Sequence, residues 1–574
     1  MTRMLALLLL ASAVEAGADA SRHAPELVTD EALVRADEFG ADWLMYSRNY
    51  SGHRFSPLDQ VDTGNVDDLV PQWAFSLGAL GAQESTPVVH RGVMYVTSNA
   101  AALHAIAADT GELLWSFDSE PPADVDDFTS TSVNRGAAIY KDRVIWNNLV
   151  GTIYCHDART GDVIWRVTPD YFRLGYSKTQ APLIVKGMVI TGTTGGEHGV
   201  RGFLEALDAE TGERVWKTYT IPAPGEPGHE TWPQDSDAWE HGGAPTWISG
   251  AFDPELDLIY WTTGNGGPWS SEQRSGDNLY TCSVVAFDTD TGAIRWHYQF
   301  VPNDDWDYDA NVTPVLTQID HEGESTPVIA LAIKTGFLYV LDRRNGRFLK
   351  AVKFSTTPSP PFWATGLDPE TGRPIESPHA RPSSPQDSVV VSPSAAGAAN
   401  WFSTAFHPER QLMIIVANET QNHRFWTPTE YVPGEFFIAD NDEMLEDEGM
   451  FQTVGEFPGR VCAYDLRTMT KRWEASPELD VRWGGPLATA GDLVFSGTLR
   501  GTLQALDADD GETLWEFQTG SGIMAHPITY SVDGKQYVVI VSGLGFITNP
   551  GFEDLIADVK NHNGGGMVFA FALP

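Results

Sequence analysis

The stretch AADTGELLW at 107–115 decides the fold, because closely similar stretches recur along the chain. Each combines an Asp, a short turn that usually carries Thr-Gly, and a strand predicted to end in Trp. Gly permits a tight hairpin turn, Asp can accept backbone N–H bonds there, and Trp offers a large apolar face for packing between sheets. The further copies are DARTGDVIW at 157–165, DAETGERVW at 208–216, DTDTGAIRW at 288–296, DADDGETLW at 507–515, and the degenerate DRRNGRFLK at 342–350 and DLRTMTKRW at 465–473.

These repeats predict an all-β fold, an eight-bladed β-propeller with tryptophan-docking repeats. Units of this size cannot bury their faces alone, so they stack radially. Seven copies are visible, and the two ends of the chain supply strands for an eighth, VPQWAFSLG around Trp73 and GGMVFAFAL at 565–573. Joining the N- and C-terminal strands in one sheet closes the ring and removes a free edge. We expect one domain over 21–574.

Uneven spacing between the copies indicates loop insertions near 217–250, 354–398 and 424–456. Long loops at one end of a propeller usually cover a site. The third insertion holds the acidic run DNDEMLEDEG, which we interpret as a solvated face in preference to a ligand cluster.

A formal net charge of −41 argues against nucleic-acid binding, because the phosphates would be repelled. The same charge allows a basic protein partner, and a homodimer is left open. The first twenty residues resemble a signal peptide, with Arg3 ahead of a short apolar run. No other segment has about 18 unbroken apolar residues, so we expect no membrane insertion and a periplasmic or secreted location.

The three cysteines, Cys155, Cys282 and Cys462, are far apart and lie in apolar strand-like runs. We predict buried free thiols. Neither a CxxC nor a CxxCH spacing occurs, which argues against a thiolate zinc site and against covalently attached haem.

Polar residues embedded in Gly- and Trp-rich turns are the candidates for chemistry. Glu197 follows a Gly pair in GTTGGEHGVRG, Asn265 lies between glycines in WTTGNGGPW, and Asp307 and Asp309 lie beside aromatic residues in NDDWDYDAN. Oxygen donors of this kind suit a hard cation, and the Gly pair lets a planar group approach the backbone. Taken singly, each has a structural alternative: an ion pair of Glu197 with Arg201, or a turn held by Asn265 or Asp307.

Several motifs together resemble the quinoprotein alcohol dehydrogenases, the methanol and ethanol dehydrogenases that use pyrroloquinoline quinone (PQQ). The resemblance covers nearly all of the chain after the leader, from ADWLMYSRNYSGHRFSPLDQ at 41–60 to the last strand. The other motifs, in family order, are VNRG, TTGN, RSGDNLY, WDYDA, LATAGDLVF and TGSGIMAHP.

The resemblance implies roles for individual residues. Asp307 resembles the catalytic base, and Arg135 resembles the cation that contacts PQQ oxygens, where a guanidinium fork suits an anionic ligand. Trp247 resembles the indole floor under the quinone, and Lys334 the cation near the reactive quinone oxygen. The remaining residues that resemble PQQ contacts are Glu84, Thr179, Thr194, Gly195, Gly196, Asn400, Trp401 and Trp483.

Glu197, Asn265 and Asp307 resemble metal ligands of the family, and Asp309 is a further candidate. Calcium-type members tend to carry a small residue two places after the base, and lanthanide-type members tend to carry Asp. A trivalent ion gains more from an added carboxylate than calcium does, so Asp309 favours a lanthanide over Ca²⁺. The alternative is that Asp309 pairs with an Arg or caps the turn.

The implied reaction oxidises a primary alcohol to an aldehyde by hydride transfer to the quinone. Electrons would then pass to a separate cytochrome c. Aldehyde, polyol and sugar substrates remain open, and a non-catalytic propeller scaffold of the cell envelope is the alternative from another class.

Four positions depart from the family pattern. The adjacent Cys pair of most members falls on Thr129 and Ser130, so the vicinal disulfide cannot form. Pro245 replaces a common hydroxyl residue, and Leu544 stands where many members have Trp. We therefore expect the cofactor pocket wall to be built differently here.

Overall fold

The structure is a computed structural model that describes residues 22–99, 102–129, 131–169, 171–385, 387–425, 427–439, 452–545 and 564–574. The predicted signal peptide, Ser130 and the acidic run at 440–449 lie outside the described residues.

Strands dominate the described chain, and its helices are short. One α-helix, α1, spans Asp30–Val34. The 3₁₀ helices are Ala36–Glu38, Val66–Asp68, Val125–Phe128, Phe172–Leu174, Gly196–His198, His229–Thr231, Ala238–Glu240 and Ser271–Gln273.

The strands follow in chain order, first those of the N-terminal half. They are β1 (Phe55–Ser56), β2 (Val70–Leu80), β3 (Val88–His90), β4 (Val93–Thr97), β5 (Ala102–Ala107), β6 (Leu113–Asp118), β7 (Ala138–Tyr140), β8 (Arg143–Asn147), β9 (Ile153–Asp157), β10 (Val163–Val167), β11 (Leu183–Val185), β12 (Met188–Thr191), β13 (Phe203–Asp208), β14 (Arg214–Tyr219), β15 (Ala251–Asp253), β16 (Leu258–Thr262), β17 (Ser283–Asp288) and β18 (Ile294–Gln299). The C-terminal half adds β19 (Val315–His321), β20 (Glu324–Ala332), β21 (Phe337–Asp342), β22 (Phe348–Lys353), β23 (Ala364–Leu367), β24 (Pro374–Glu376), β25 (Val389–Val391), β26 (Ala405–His407), β27 (Leu412–Asn418), β28 (Thr420–Arg424), β29 (Gln452–Thr453), β30 (Gly459–Asp465), β31 (Thr470–Glu478), β32 (Pro486–Thr489), β33 (Leu493–Gly497), β34 (Thr502–Asp507), β35 (Thr513–Gln518), β36 (Ile528–Val532), β37 (Lys535–Ser542) and β38 (Gly565–Ala572).

Eight sheets of four or five strands account for most of these strands. Five are built from consecutive strands, β3 to β6, β7 to β10, β11 to β14, β15 to β18 and β19 to β22. The others are β26-β27-β30-β31, β1-β32-β33-β34-β35 and β2-β38-β37-β36. Strand neighbours are antiparallel, apart from the parallel pair of β1 and β32. The all-β prediction is thus confirmed.

The repeated turns form as the sequence predicts. In the 157–165 copy the Asp157 carboxylate accepts the backbone N–H groups of Arg159 and Thr160, both at 2.9 Å. Gly161 closes the turn at φ +79°, where a side chain would be strained. The predicted strand end is wrong in detail, because β10 continues two residues past Trp165 to Val167. Backbone pairing with β9 extends that far and carries the strand past the Trp.

Each repeat Trp joins its sheet to the next one along the chain. The Trp115 indole packs on the turn glycine of the following copy, Gly161, and donates its N–H to the carbonyl of Ala158 at 3.0 Å. Trp165 and Trp216 pack in the same way on Gly212 and Gly292. Glycine is required at position 161 for two reasons. Its φ is positive, and a Cβ there would lie 2.7 Å from the Trp115 indole.

The two ends of the chain meet in one sheet. β2 pairs antiparallel with β38, with Ala74 opposite Phe569. Trp73 of β2 packs on Gly111 of the first repeat, and the Trp515 indole donates to the carbonyl of Leu69 at 3.2 Å. The N- and C-terminal strands therefore share a sheet, as predicted, and this sheet contacts those before and after it in the order of the repeats.

The insertions carry little regular structure. The segment 217–250 holds two 3₁₀ helices, and 354–398 holds the two-stranded sheet β23-β24 together with β25. The described part of 424–456 contributes β29. All three cysteines are free and buried, which confirms that prediction. Among the described residues, no helix is long and apolar enough to cross a membrane.

Candidate active site

A cavity with about 630 Å³ of space between its lining atoms, part of it open to solvent, brings together residues from six of the eight larger sheets and their loops. Thirteen of its fourteen lining residues were predicted from the sequence or named there as a departure. The lining is Glu84, Thr131, Arg135, Thr179, Thr194, Gly195, Glu197, Pro245, Trp247, Asp307, Asp309, Lys334, Asn400 and Trp401.

One side of the cavity is organised by the buried guanidinium of Arg135. It pairs with the Glu84 carboxylate at 2.6 Å and donates to the Thr179 hydroxyl at 2.6 Å. It also lies 4.8 Å from the centre of the Trp247 ring. Burial raises the pKa of Glu84, and Arg135 opposes that rise. A cation, a hydroxyl and an indole face thus border the same space.

A second cluster in the lining has the buried ammonium of Lys334 between two carboxylates. Its Nζ lies 2.9 Å from Asp307 Oδ2 and 3.0 Å from Asp309 Oδ2, and it donates to the Asp307 backbone carbonyl at 2.8 Å. Burial raises the pKa of both aspartates, and Lys334 opposes that rise. Burial lowers the pKa of Lys334, but the two carboxylates outweigh it and the net shift is upward. Asp309 therefore pairs with Lys334, where the structural alternative anticipated an Arg.

Glycines bring Glu197 and Asn265 up to these aspartates. Gly195 adopts φ +102° and leads into the 3₁₀ turn that carries Glu197. A Cβ on Gly196 would collide with the Asn265 side-chain oxygen, and one on Gly264 would lie 2.6 Å from Asp309 Oδ1. The Asn265 backbone N–H donates to that same Asp309 oxygen. The four predicted metal ligands are consequently neighbours.

The predicted ligand set fits a hard cation by its donor chemistry and by two buried oxygen atoms. Asn265 Oδ1 and Asp307 Oδ1 have no hydrogen-bond partner among the described residues. The carboxylates of Asp307 and Asp309 share the ammonium of Lys334, and the nearby Glu197 charge raises the pKa of both aspartates. Among the described residues, no group of three or more His, Cys, Asp or Glu side chains is arranged to hold a metal ion.

Two predicted residues lie behind the cavity wall. Trp483 packs against Trp401, with ring centres 5.2 Å apart, and is not part of the cavity lining. Gly196 lies against Asn265 rather than on the cavity surface.

Thr131 lines the cavity and was missed from the sequence, although it lies one residue after the Thr129–Ser130 departure. Pro245 is part of the wall, whereas Thr129 and Leu544 are buried away from it. A threonine and a proline thus form wall positions in this chain.

Comparison with known proteins identifies the fold family of this site. A family model described as the PQQ glucose/ethanol/alcohol dehydrogenase β-propeller domain matches residues 43–362 and 372–538. The chain belongs to this family of PQQ-dependent alcohol dehydrogenases. Membership makes it an enzyme and decides against the non-catalytic scaffold.

Individual relatives of this PQQ-dependent enzyme match over most of its length. The quinohemoprotein alcohol dehydrogenase ADH IIB of Pseudomonas putida is 39% identical over 90% of this chain and 75% of that protein. The quinoprotein alcohol dehydrogenase PedH of the same species is 35% identical over 95% of this chain and 93% of that protein. A solved europium-containing methanol dehydrogenase superposes with a TM-score of 0.86 at 31% identity, over 95% of this chain and all of the other.

Proposed function

We propose that this enzyme oxidises a primary alcohol to an aldehyde with bound PQQ and one metal ion, and that Asp307 is the base. The observation that carries the proposal is the meeting of two charge clusters around one cavity. One cluster is Arg135 with Glu84, Thr179 and Trp247, the other is Lys334 with its two aspartates, and both line the same cavity. The family to which the chain belongs uses PQQ.

The Arg135 side has the groups that a planar, anionic quinone requires. The guanidinium would pair with quinone or carboxylate oxygens, the Thr179 and Thr194 hydroxyls would donate to its rim, and the half-buried Trp247 face would stack on its rings. Gly195 leaves the backbone open on this side. Lys334 would stand near the oxygen that gains charge.

Proton removal is the task of Asp307. When bound, PQQ supplies the acceptor for a hydride from the alcohol carbon, and the metal supplies Lewis-acid polarisation. Asp307 takes the hydroxyl proton, which leaves the alcohol carbon as the hydride donor. Burial, which raises the pKa of this carboxyl, makes it a stronger proton acceptor than an exposed aspartate. Lys334, 2.9 Å away, holds Asp307 in place and balances its charge.

Glu197, Asn265, Asp307 and Asp309 would hold the metal through oxygen atoms. The presence of Asp309 beside Asp307 favours a lanthanide over Ca²⁺, because Coulomb attraction to an added carboxylate grows with the charge of the ion. The europium-containing relative is consistent with this preference.

We further propose that the eight larger sheets are the eight blades of a single propeller over 21–574. The Trp-to-glycine contacts between successive repeats and the β2–β38 pairing support it. Residues 1–20 would direct the chain to the periplasm, and a cytochrome c would accept the electrons. The net charge of −41 suits a basic electron acceptor.

A substrate panel tests the proposed function. The purified protein is given PQQ and either Ca²⁺ or La³⁺, and reduction of a dye acceptor is followed with alcohols, aldehydes, polyols and sugars. We expect primary alcohols to be turned over fastest and La³⁺ to support more activity than Ca²⁺. Turnover of sugars or aldehydes but not alcohols would refute the substrate class, and activity with Ca²⁺ alone would refute the metal preference.

A further inference from the structure

Asn311 lies behind the cavity and contacts a residue that lines it. It follows Asp307 and Asp309 at alternate positions of the WDYDAN segment, and 2% of it is exposed. Its side-chain amide N–H donates to the side-chain oxygen of Asn400, 89 residues further along the chain. Asn311 itself is not part of the cavity lining, whereas Asn400 is.

Backbone groups fix which way the Asn400 amide points. Its Oδ1 accepts the N–H of Trp401 at 2.8 Å, and its Nδ2 donates to the carbonyl of Ala396 at 2.9 Å. A backbone N–H can only donate and a carbonyl can only accept. The side-chain oxygen of Asn400 is therefore held on the Trp401 side and its nitrogen on the Ala396 side.

The bond from Asn311 completes the hydrogen bonding of that oxygen. An amide oxygen has two lone pairs, and those of Asn400 are taken by Trp401 and Asn311. The amide nitrogen has two N–H groups, of which one is used by Ala396. What Asn400 can present to the cavity is consequently a single N–H donor.

We propose that Asn311 is a positioning residue, which locks the Asn400 amide so that its remaining N–H points to an acceptor oxygen of the bound quinone. This inference rests on the proposed PQQ site and adds a residue outside the lining to it. Without Asn311, one lone pair of the buried Asn400 oxygen loses its partner, and only the bonds to Trp401 and Ala396 still orient the amide. Its remaining N–H would then be aimed less firmly at the quinone oxygen, and a poorly aligned hydrogen bond is weaker.

The test measures PQQ affinity of the metal-reconstituted protein without alcohol or dye, by quenching of the fluorescence of Trp247 and Trp401. Asn311→Leu should weaken PQQ binding about tenfold, the value of one buried hydrogen bond. A matched control is Asn148→Leu. Asn148 is also buried, its side-chain oxygen accepts the backbone N–H of Thr152 at 3.0 Å, and it does not line the cavity. It should change the affinity less than about twofold.

A double variant separates positioning from a general packing defect. If Asn311 acts through Asn400, adding Asn311→Leu to Asn400→Leu should lower the PQQ affinity no further. Losses that multiply in the double variant, or a wild-type affinity in Asn311→Leu, would overturn the inference. Should the leucine variant fail to fold by circular dichroism, Asn311→Ser provides the same comparison with a smaller polar side chain that is too short to bridge to Asn400.

Failure of the proposed function gives a different result. If the wild-type protein does not bind PQQ, the proposed cofactor site is wrong before any variant is compared. If it binds PQQ and Asn311→Leu binds it equally well, only the role of Asn311 is wrong.

Discussion

At the scale of single residues, the WDYD segment holds most of the proposed chemistry in two carboxylates that share one ammonium. The spacing of Asp307 and Asp309 was visible in the sequence, but their shared partner was not, because Lys334 lies 27 residues after Asp307, in the turn between β20 and β21. Asn311 in the same segment and Thr131 were also missed. Only the alternate spacing after Asp307 and Asp309 gave a signal for Asn311, and Thr131 gave none of its own.

Asp309→Ala tests the metal preference. A carboxylate contributes to ion binding in proportion to the charge of the ion, so its loss should cost about 1.5 times more free energy for La³⁺ than for Ca²⁺. Equilibrium dialysis of the two ions with the PQQ-loaded protein measures this. The exposed Asp59→Ala is the control and should leave both affinities unchanged. Equal losses for the two ions in Asp309→Ala would contradict a role in selecting a lanthanide.

At the scale of elements, the repeated turn was predictable because its residues act locally. The Asp, the glycine and their backbone bonds all lie within a few residues, as the Asp157 turn shows. The partner of each Trp was not predictable, since Trp115 packs on the turn of the following copy. The small sheets formed by the insertions were likewise missed, because their strands are short and irregular in sequence.

Gly161→Ala tests whether the repeat needs glycine both for its positive φ and for the packing of Trp115. The substitution should cost about 1 kcal/mol for a side chain at φ +79°, and about 1–3 kcal/mol more for overpacking against Trp115. Gly534→Ala is the matched control, because Gly534 has φ +77° but open space around it. Urea unfolding compares the two. Equal losses of unfolding free energy would show that Trp115 does not depend on this glycine.

At the scale of the whole molecule, the two chain ends are joined in one sheet, in which β2 pairs with β38. The sequence indicated it through two strand-like segments that had no repeat of their own, around Trp73 and at 565–573. Pairing of β2 with β38 agrees with that expectation. The arrangement of the cavity could not be predicted from the repeats alone, because its residues come from loops and strands of many sheets.

Phe571→Ala tests whether the sheet that contains β2 and β38 contributes to the stability of the whole molecule. Phe571 of β38 is fully buried and packs edge-on against Trp515 and Phe517 of β35, at 5.2 Å and 4.8 Å. Its truncation should lower the free energy of unfolding by about 3–5 kcal/mol and shift the whole thermal transition. Truncation of the 46% exposed Phe457 should cost less than about 0.5 kcal/mol. An early transition confined to part of the molecule would contradict closure through β38.

Asp307 is proposed to remove the proton during PQQ- and metal-dependent alcohol oxidation. This is tested by alcohol-dependent dye reduction with the wild-type protein and with Asp307→Asn, each with bound PQQ and metal quantified first. We expect wild-type turnover to require both additions, and Asp307→Asn to lose at least about a hundredfold in kcat at equal PQQ occupancy. Turnover without PQQ, or an unchanged kcat in the cofactor-loaded Asp307→Asn protein, would contradict it.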